Sequence, residues 1–398
     1  MAAPRTLPIY LGLGSVFAAV AARNFLLPLR AHELGVGRAE IGLLVAASTL
    51  TAAVLSVPAG FLADRFGKRR LLIVSVLAGL VSEIGVAAST TVVPMYFWQA
   101  LVGVCAGAAQ AALFAALADI VPAQRLGRSM GWLTLALQFG FLAGPAAAGL
   151  SQQFMNLEQA LFATTALFAI ALVMSFLTPA GLGHHLRTWD MLSPVRRLAR
   201  LPGFWAASLG LLGATLLWGT VQAYLPLFAK EQLQLPATQI GYMLAIQAVF
   251  NGLARLPGGR LVDAAARKGR IVFVGVVSYA LAVVLLPHLS GFWAPTVLLS
   301  LAVPALATAY VALSVVFGNL SPGEQGVAMG LYGTVLYLGL GAGPALFGPI
   351  LQRSGYAAGF TFAALVSVAC MFVMAGLRFQ AAARRAGTVR LPPASPGT

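Results

Sequence analysis

The chain has 398 residues, of which 60% are hydrophobic and only 9% are charged, and its formal net charge is +15. A soluble globular domain carries about 25% charged residues, and no soluble fold of this length could bury so much apolar surface. The composition therefore excludes an ordinary soluble protein and indicates one embedded in lipid. Its apolar runs are roughly 20 residues long, which suits membrane-spanning helices and not the shorter alternating strands of a barrel.

Twelve apolar runs follow one another along the chain, and each predicts a transmembrane helix. The predicted spans are residues 7–29, 39–61, 70–91, 94–119, 128–150, 157–178, 204–228, 239–260, 270–290, 293–319, 327–350 and 356–377. The predicted domains are a first six-helix bundle (1–178), a cytoplasmic amphipathic linker (179–203), a second six-helix bundle (204–378) and a disordered cytoplasmic tail (379–398).

The basic residues predict how the chain lies in the membrane. Most of the 25 lysines and arginines fall in the connections from even-numbered to odd-numbered spans, in the linker and in the tail. Basic residues accumulate on the cytoplasmic side of membrane proteins. We therefore expect a multi-pass protein of the cell (inner or plasma) membrane with both termini in the cytoplasm. Because topology accounts for the positive charge, we expect no nucleic-acid partner.

The two halves of the sequence repeat each other at a constant offset. For example, Asp64 corresponds to Asp263, and Glu33 corresponds to Glu231 with the offset shortened by one residue. Two homologous bundles in one membrane are related by an axis along the membrane normal, and a substrate then binds between them near the midplane. This arrangement predicts a transporter.

A loop rich in glycine and basic residues follows the second span. Its candidate gate residues are Gly60, Asp64, Arg65, Gly67, Lys68 and Arg69. Gly67 permits a tight turn with positive φ, and Asp64 can form ion pairs in one conformation that break in another. The loop resembles the signature loop of the major facilitator superfamily, with every expected position filled. The resemblance implies that Asp119 and Arg125, at the next connection on the same side, join this cytoplasmic gate. A basic loop that serves topology alone is the alternative.

A second motif lies in the fifth span and recurs in the eleventh. Its residues are Gly140, Gly144, Pro145 and Gly149, and then Gly339, Gly343, Pro344 and Gly348. Glycines spaced by four let helices touch, and proline permits a bend. The pattern resembles that of the superfamily's drug:proton antiporters, although plain helix packing would also explain it. The resemblance implies an all-α polytopic fold with twelve transmembrane helices in two pseudo-symmetric bundles. In one departure, Gln99 stands where these exporters usually carry an arginine.

Polar side chains inside spans are costly in lipid and are therefore candidates for function. The candidate substrate contacts are Arg23, Asn24, Gln110, Gln222, Gln247, Asn251 and Arg255. The last three share one face of the eighth span because they are spaced by four. Arg23 can bind an anionic substrate group or pair with a carboxylate on another helix. The neighbouring aromatic residues, such as Trp218, would leave the pocket mostly apolar, which suits amphipathic compounds.

Glu83 is the only acidic residue of the sequence that lies well inside a predicted span. Its depth is comparable to that of Arg23. A carboxyl group there can hold and release a proton as a neighbouring cation approaches and withdraws. Proton coupling is therefore one interpretation of Glu83, and a purely structural ion pair with Arg23 is the other.

These observations predict a secondary transporter that works by alternating access and exports a small organic or drug-like molecule in exchange for protons. One alternative is uptake or export of a small anionic metabolite anchored by Arg23 and Arg255, and another is a non-transporting receptor on a transporter scaffold. The sequence contains no metal-ligand spacing and no nucleophile–base pair, so we expect no enzyme, metal or cofactor. The expected partners are a small-molecule substrate, protons and the lipid bilayer, and the chain is expected to be a monomer.

Overall fold

A computed structural model of the chain describes residues 3–121, 123–179, 192–265, 267–318, 320 and 325–388. Within these ranges the chain forms helices and no strand. The α-helices are α1 Ala3–Glu33, α2 Arg38–Phe66, α3 Lys68–Ala87, α4 Val92–Ile120, α5 Ala123–Ser151, α6 Leu157–Leu177, α7 Leu192–Ala199, α8 Pro202–Glu231, α9 Ala237–Ala264, α10 Lys268–Leu285, α11 Trp293–Gly318 and α12 Gln325–Thr388. A short 3-10 turn, Leu286–His288, follows α10.

The twelve predicted spans coincide with the long helices. The first six are α1–α6, the next four are α8–α11, and the last two share α12, whose backbone breaks at Gly355 (φ 80°, ψ 177°). In the described part of the chain, nine helices are apolar and long enough to cross a membrane, the last of them covering both parts of α12. Helix α5 adds a shorter apolar stretch, Leu135–Ser151. Helix α9 is not among these nine, and it carries the polar residues Gln247, Asn251 and Arg255.

Local sequence signals set several helix ends. Gly67 separates α2 from α3 with φ 92°, a left-handed conformation that glycine adopts without steric cost, so the positive φ predicted for this residue is confirmed. The side chain of Asn156 caps α6 by accepting a hydrogen bond from the amide of Gln159 at 2.8 Å, and Gln159 returns one to the amide of Asn156. In the linker, residues 180–191 lie outside the described structure. Helix α7 then exposes Arg196 and Arg197 and buries Leu198.

The helices form two bundles. In the first, α1 packs on α5 and α6, and α4 packs on α2 and α3; in the second, α8 packs on α12, while α9 and α10 pack on α11. Apolar side chains fill both interiors, with Phe168 and Leu113 in the first and Phe228 and Phe360 in the second. The bundles meet along two seams, α2 against α12 and α5 against α9. The internal repeat relates one seam to the other, since α2 is equivalent to α9 and α5 to the first part of α12.

Two names are used below for the ends of the molecule. The linker end carries the α2–α3, α4–α5 and α9–α10 connections together with α7. The distal end carries the α1–α2, α3–α4, α5–α6, α8–α9 and α10–α11 connections and the break at Gly355.

The glycine motif of α5 brings this helix into backbone contact with helices of both bundles. A β-carbon added at Gly144 would overlap the carbonyl oxygen of Ala18 on α1, and one added at Gly149 would lie 2.8 Å from the carbonyl oxygen of Ala237 on α9. The first contact lies within the first bundle and the second crosses the seam. Backbone atoms cannot move aside as a flexible side chain can, so these positions require glycine.

The repeated motif in α12 makes the equivalent contacts. A β-carbon at Gly343 would overlap the carbonyl oxygen of Leu216 on α8, and one at Gly348 would lie 3.0 Å from Cα of Ala39 on α2. One motif therefore packs two helices in each half, a neighbour in its own bundle and a helix across the seam.

Replacing Gly144 by alanine should destabilise the protein by about 1–3 kcal/mol, because the added methyl group forces α1 and α5 apart. Gly376→Ala is the matched control, since Gly376 is an exposed helical glycine with no atom within 4 Å of an added β-carbon. The control should be unchanged or slightly more stable, because alanine favours the helix. The measurement is the midpoint of thermal unfolding in detergent, and equal midpoints for the two variants would contradict the packing argument.

Candidate functional site

A buried ion pair lies in the first bundle. Nη1 of Arg23 on α1 lies 3.1 Å from Oε2 of Glu83 on α3, and both side chains are completely buried. The same nitrogen donates a hydrogen bond to Oγ of Ser82 at 2.9 Å, and the hydroxyl of Thr164 on α6 donates to Oε1 of Glu83 at 2.6 Å. Side chains from two other helices, α1 and α6, thus converge on the carboxylate of α3. Arg23 and Glu83, which the sequence places at comparable depths in their spans, are therefore in contact.

The hydrogen bonding around this pair is incomplete. Nε and Nη2 of Arg23 have no acceptor, and neither amide atom of the buried Gln99 on α4 has a partner in the described structure. A buried polar atom without a partner costs about 1–3 kcal/mol. Two such atoms belong to Arg23, so the pair does not fully compensate the burial of its guanidinium. The guanidinium of Arg23, predicted as a substrate contact, faces Glu83 and has no accessible surface in this conformation.

Two predicted substrate contacts occupy equivalent positions of the repeat. Asn24 on α1 corresponds to Gln222 on α8 with the same offset that relates Glu33 to Glu231. Both side chains are half-buried, form no hydrogen bond within the described structure and retain accessible amide atoms. Each lies roughly 14 Å from the distal end of its helix, and these two helices contact each other across the bundles. The constant offset between the two halves could have revealed from the sequence that Asn24 and Gln222 are equivalent.

Three further candidates lie at or near the seams. Asn251 on α9 accepts a hydrogen bond across the seam from Nε2 of Gln138 on α5 at 2.8 Å, and it is buried. Gln247 is also buried and donates to the carbonyl oxygen of Met243 one turn earlier at 3.3 Å. The half-buried Gln110 on α4 accepts a hydrogen bond from the hydroxyl of Tyr337 on α12. Two side-chain hydrogen bonds therefore connect the bundles at mid-depth.

The predicted gate loop lies at the linker end. The side chains of Asp64, Arg65, Asp119 and Arg125 lie outside the described structure, although the backbone at these positions and at Gly60 is helical. Lys68 is buried, and Arg69 donates a hydrogen bond to the carbonyl oxygen of Phe176 at the end of α6. The gate function of this loop stays a prediction.

An ion-pair cluster at the distal end was not predicted. Glu231 at the end of α8 pairs with Nη2 of Arg38 at the start of α2 and lies 3.6 Å from Nε2 of His32. Glu33 at the end of α1 lies 3.8 Å from Nζ of Lys230. Each of the two repeat-related carboxylates therefore contacts a cation of the opposite bundle. We call these five residues the distal lock.

Other contacts reinforce the distal lock. The hydroxyl of Tyr224 on α8 lies 2.8 Å from the carbonyl oxygen of Arg38 and 3.0 Å from that of Pro344. Arg38 donates to the carbonyl oxygen of Leu351 on α12 at 3.3 Å, and its guanidinium carbon lies 4.5 Å from the ring centre of Tyr356. In this conformation the bundles are therefore held together at the distal end.

No metal centre is formed by the described residues. No group of three or more His, Cys, Asp or Glu side chains in the described ranges lies close enough together to hold an ion. Cys105 and Cys370 are both free thiols. The polar groups described above can hold a proton or a polar substrate group.

Comparisons with known proteins bear on both fold and function. The family model of the Major Facilitator Superfamily matches residues 9–302 and 208–395. Multidrug resistance protein 2 of Bacillus subtilis is 24% identical over 369 residues, which are 89% of this chain and 91% of that protein. Quinolone resistance protein NorA of Staphylococcus aureus is 28% identical over 167 residues, which are 42% of this chain and 41% of that protein.

A crystal structure of the nucleoside transporter NupG has a similar fold, with a TM-score of 0.76 at 15% sequence identity. The superposition covers 94% of this chain and 99% of the NupG chain. The structural likeness confirms the predicted all-α membrane fold.

Proposed function

Because the chain belongs to the Major Facilitator Superfamily and is a membrane transporter of that family, we propose that it exports a small amphipathic organic molecule in exchange for protons. Two relatives carry names that refer to multidrug and quinolone resistance, which supports a drug-like substrate. The observation that carries the proposal is the combination of accessible amides between the bundles with a buried carboxylate in the first bundle whose arginine partner is incompletely hydrogen-bonded.

The accessible amides are suited to orienting a substrate that is mostly apolar. Asn24, Gln222 and Gln110 lie on three different helices from both bundles, and each is half-buried. The aromatic ring of Trp218, one turn before Gln222 on α8, packs against Tyr279 with ring centres 5.7 Å apart. A mostly apolar pocket with a few polar anchors binds amphipathic compounds better than sugars, which need dense hydrogen bonding.

Glu83 is the proposed proton carrier. Its carboxylate is held by Arg23 from α1 and Thr164 from α6, so relative movement of these helices changes the groups that face it. Whether a buried carboxyl group carries a proton depends on the charge beside it. Proton uptake and release by Glu83 would then follow the conformational cycle.

Alternating access requires contacts that exist in one conformation and not in the other. The distal lock closes one end, and we assign the loop around Asp64 to closing the linker end in the opposite conformation. We further propose that the linker end is cytoplasmic, because the basic residues are concentrated there. The distal lock would then close the outer side of the membrane.

Flux measurements in proteoliposomes test the proposed function. The purified protein should move at least one compound of a chemically broad amphipathic panel against its concentration gradient when a pH gradient is imposed. A protonophore should abolish the accumulation, and protein-free liposomes control for passive leak. Specific binding of panel compounds with no flux under any gradient would instead favour the receptor alternative.

A further inference from the structure

Arg255 on α9 has no carboxylate partner in the part of the chain that the structure describes. Its Nε donates to Oδ1 of Asn251 at 3.3 Å, and its two terminal nitrogens have no acceptor among the described residues and retain accessible surface. Helix α9 ends at Ala264, so Arg255 lies roughly 14 Å from the linker end along the helix. An arginine at this depth is costly without a partner anion, so a negatively charged group from outside the chain is the natural occupant.

The other arginine inside a span is neutralised by the protein itself. The guanidinium of Arg23 faces Glu83, and that pair is completely buried in the first bundle. Among the residues that the structure describes, no such carboxylate accompanies Arg255. The second bundle therefore presents a fixed positive charge that an incoming ligand can reach.

Two tyrosine side chains lie in the neighbourhood of this positive charge. Tyr310 on α11 and Tyr332 on α12 lie close enough to Arg255 to interact with it electrostatically. The hydroxyl of Tyr310 is buried and has no hydrogen-bond partner in the described structure. The ring of Tyr332 packs edge-on against Phe317, with ring centres 5.5 Å apart. A cation, an unpaired hydroxyl donor and aromatic rings together can recognise an anionic group attached to an aromatic body.

We propose that Arg255, Tyr310 and Tyr332 form a subsite for the anionic group of an aromatic organic anion, such as a carboxylate or a sulfonate. The inference rests on the proposed transport function and specifies its substrate class. The guanidinium binds the anionic oxygens through its terminal nitrogens, and the Tyr310 hydroxyl donates a further hydrogen bond. Asn251 links the subsite to the α5–α9 seam, because it bonds Arg255 and also Gln138.

The test compares three naphthalene probes that differ in charge: naphthalene-1-sulfonate, 1-naphthylmethylammonium and neutral naphthalene-1-methanol. Flux and thermal stabilisation are measured with purified protein in phosphatidylcholine vesicles, with and without phosphatidylglycerol. The wild-type protein should carry the sulfonate in both vesicle types. Arg255→Gln should raise the half-saturating sulfonate concentration about tenfold or more and leave the ammonium probe unaffected, because bonds to charged groups are the stronger ones. Tyr310→Phe should raise the half-saturating sulfonate concentration by a smaller factor. Arg255→Lys should retain part of the affinity for the sulfonate.

Arg260→Gln is the matched control, since it removes the same charge from an exposed position of the same helix. It should leave the half-saturating concentration of every probe unchanged. An equal effect of Arg255→Gln on sulfonate and ammonium would overturn the subsite, and so would an effect that requires phosphatidylglycerol, since the occupant would then be a lipid headgroup. Should Arg255→Gln fold poorly, Tyr310→Phe decides, and an unchanged sulfonate affinity in that variant overturns the subsite.

The outcomes also separate this subsite from the proposed function. If the wild-type protein carries members of the broad panel but Arg255→Gln changes no anion's affinity, transport stands and the anion subsite fails. If the wild-type protein carries nothing in the panel, the proposed function itself fails.

Discussion

Replacing Glu83 by glutamine should abolish proton-driven uphill transport and leave downhill exchange of substrate largely intact. Glutamine keeps the shape of the side chain but cannot bind and release a proton. At a membrane potential of roughly 150 mV, moving one proton supplies about 3.5 kcal/mol, which sustains a concentration ratio of a few hundred. Without a carrier for that proton, the ratio should fall to about one. The measurement is substrate accumulation under an imposed gradient, set against exchange of labelled substrate at equilibrium.

A loss of protein stability in the Glu83→Gln variant could obscure this result. Removing one member of a buried ion pair costs about 3–5 kcal/mol, because the remaining charge is left without compensation. In Glu83→Gln the guanidinium of Arg23 would be that charge. Replacing both members by uncharged side chains of similar size is often neutral, so the double variant Arg23→Met with Glu83→Gln should unfold close to the wild-type midpoint.

The double variant separates the two interpretations of the pair. If Glu83 carries the proton, the double variant folds and exchanges substrate but does not accumulate it. If the pair is only structural, the double variant folds and accumulates substrate as the wild type does, and the coupling assignment is wrong. Loss of both activities at normal thermal stability would also contradict the assignment, since the pair would then be needed for the conformational cycle itself.

Features that depend on position along a helix were predictable from the sequence. Arg23 and Glu83 could be placed at one depth because each residue advances a helix by about 1.5 Å. The four-residue spacing of Gly140 and Gly144 predicted close helix contact, and the repeat predicted two related seams. The positive φ of Gly67 followed from its place between two helices that reverse direction.

Contacts that depend on which helices face each other could not be predicted from the sequence. The pairing of Glu231 with Arg38 joins the end of α8 to the start of α2, and no spacing rule relates positions so far apart in the chain. Similarly, the sequence offered a carboxylate partner for Arg23, but it could not show that Arg255 has none among the residues that the structure describes. Candidate substrate contacts were therefore identified as polar residues in spans, but their division into accessible and paired groups required the structure.

Replacing Glu231 by glutamine should shift the protein toward the conformation that is open at the distal end. The side chain accepts a hydrogen bond from Arg38, and this contact joins the two bundles in the conformation described here. A hydrogen bond between charged groups contributes about 1.5–3 kcal/mol, and its loss penalises only the conformation that contains it. The equilibrium should move by roughly ten- to a hundredfold. Glu33→Gln should have a smaller effect, because its pair with Lys230 is about half exposed at 3.8 Å.

Distances between spin labels on the two bundles measure this shift. Phe154 between α5 and α6 and Trp293 at the start of α11 are both exposed at the distal end, so cysteines at these positions can carry the labels. Cys370 is replaced by alanine, and the completely buried Cys105 can remain. Glu231→Gln should populate a longer distance than the parent protein does.

Glu158→Gln provides the control that assigns this shift to contact between the bundles. Glu158 also lies at the distal end and pairs with an arginine, Arg30, at 3.2 Å, but both residues belong to the first bundle. Its substitution removes the same charge from the same end without removing a contact between the bundles. The label distances should therefore stay at the parent value. A shift of equal size in Glu158→Gln would show that the net charge of the distal end, and not the Glu231–Arg38 contact, sets the equilibrium, and the distal lock would lose its proposed role.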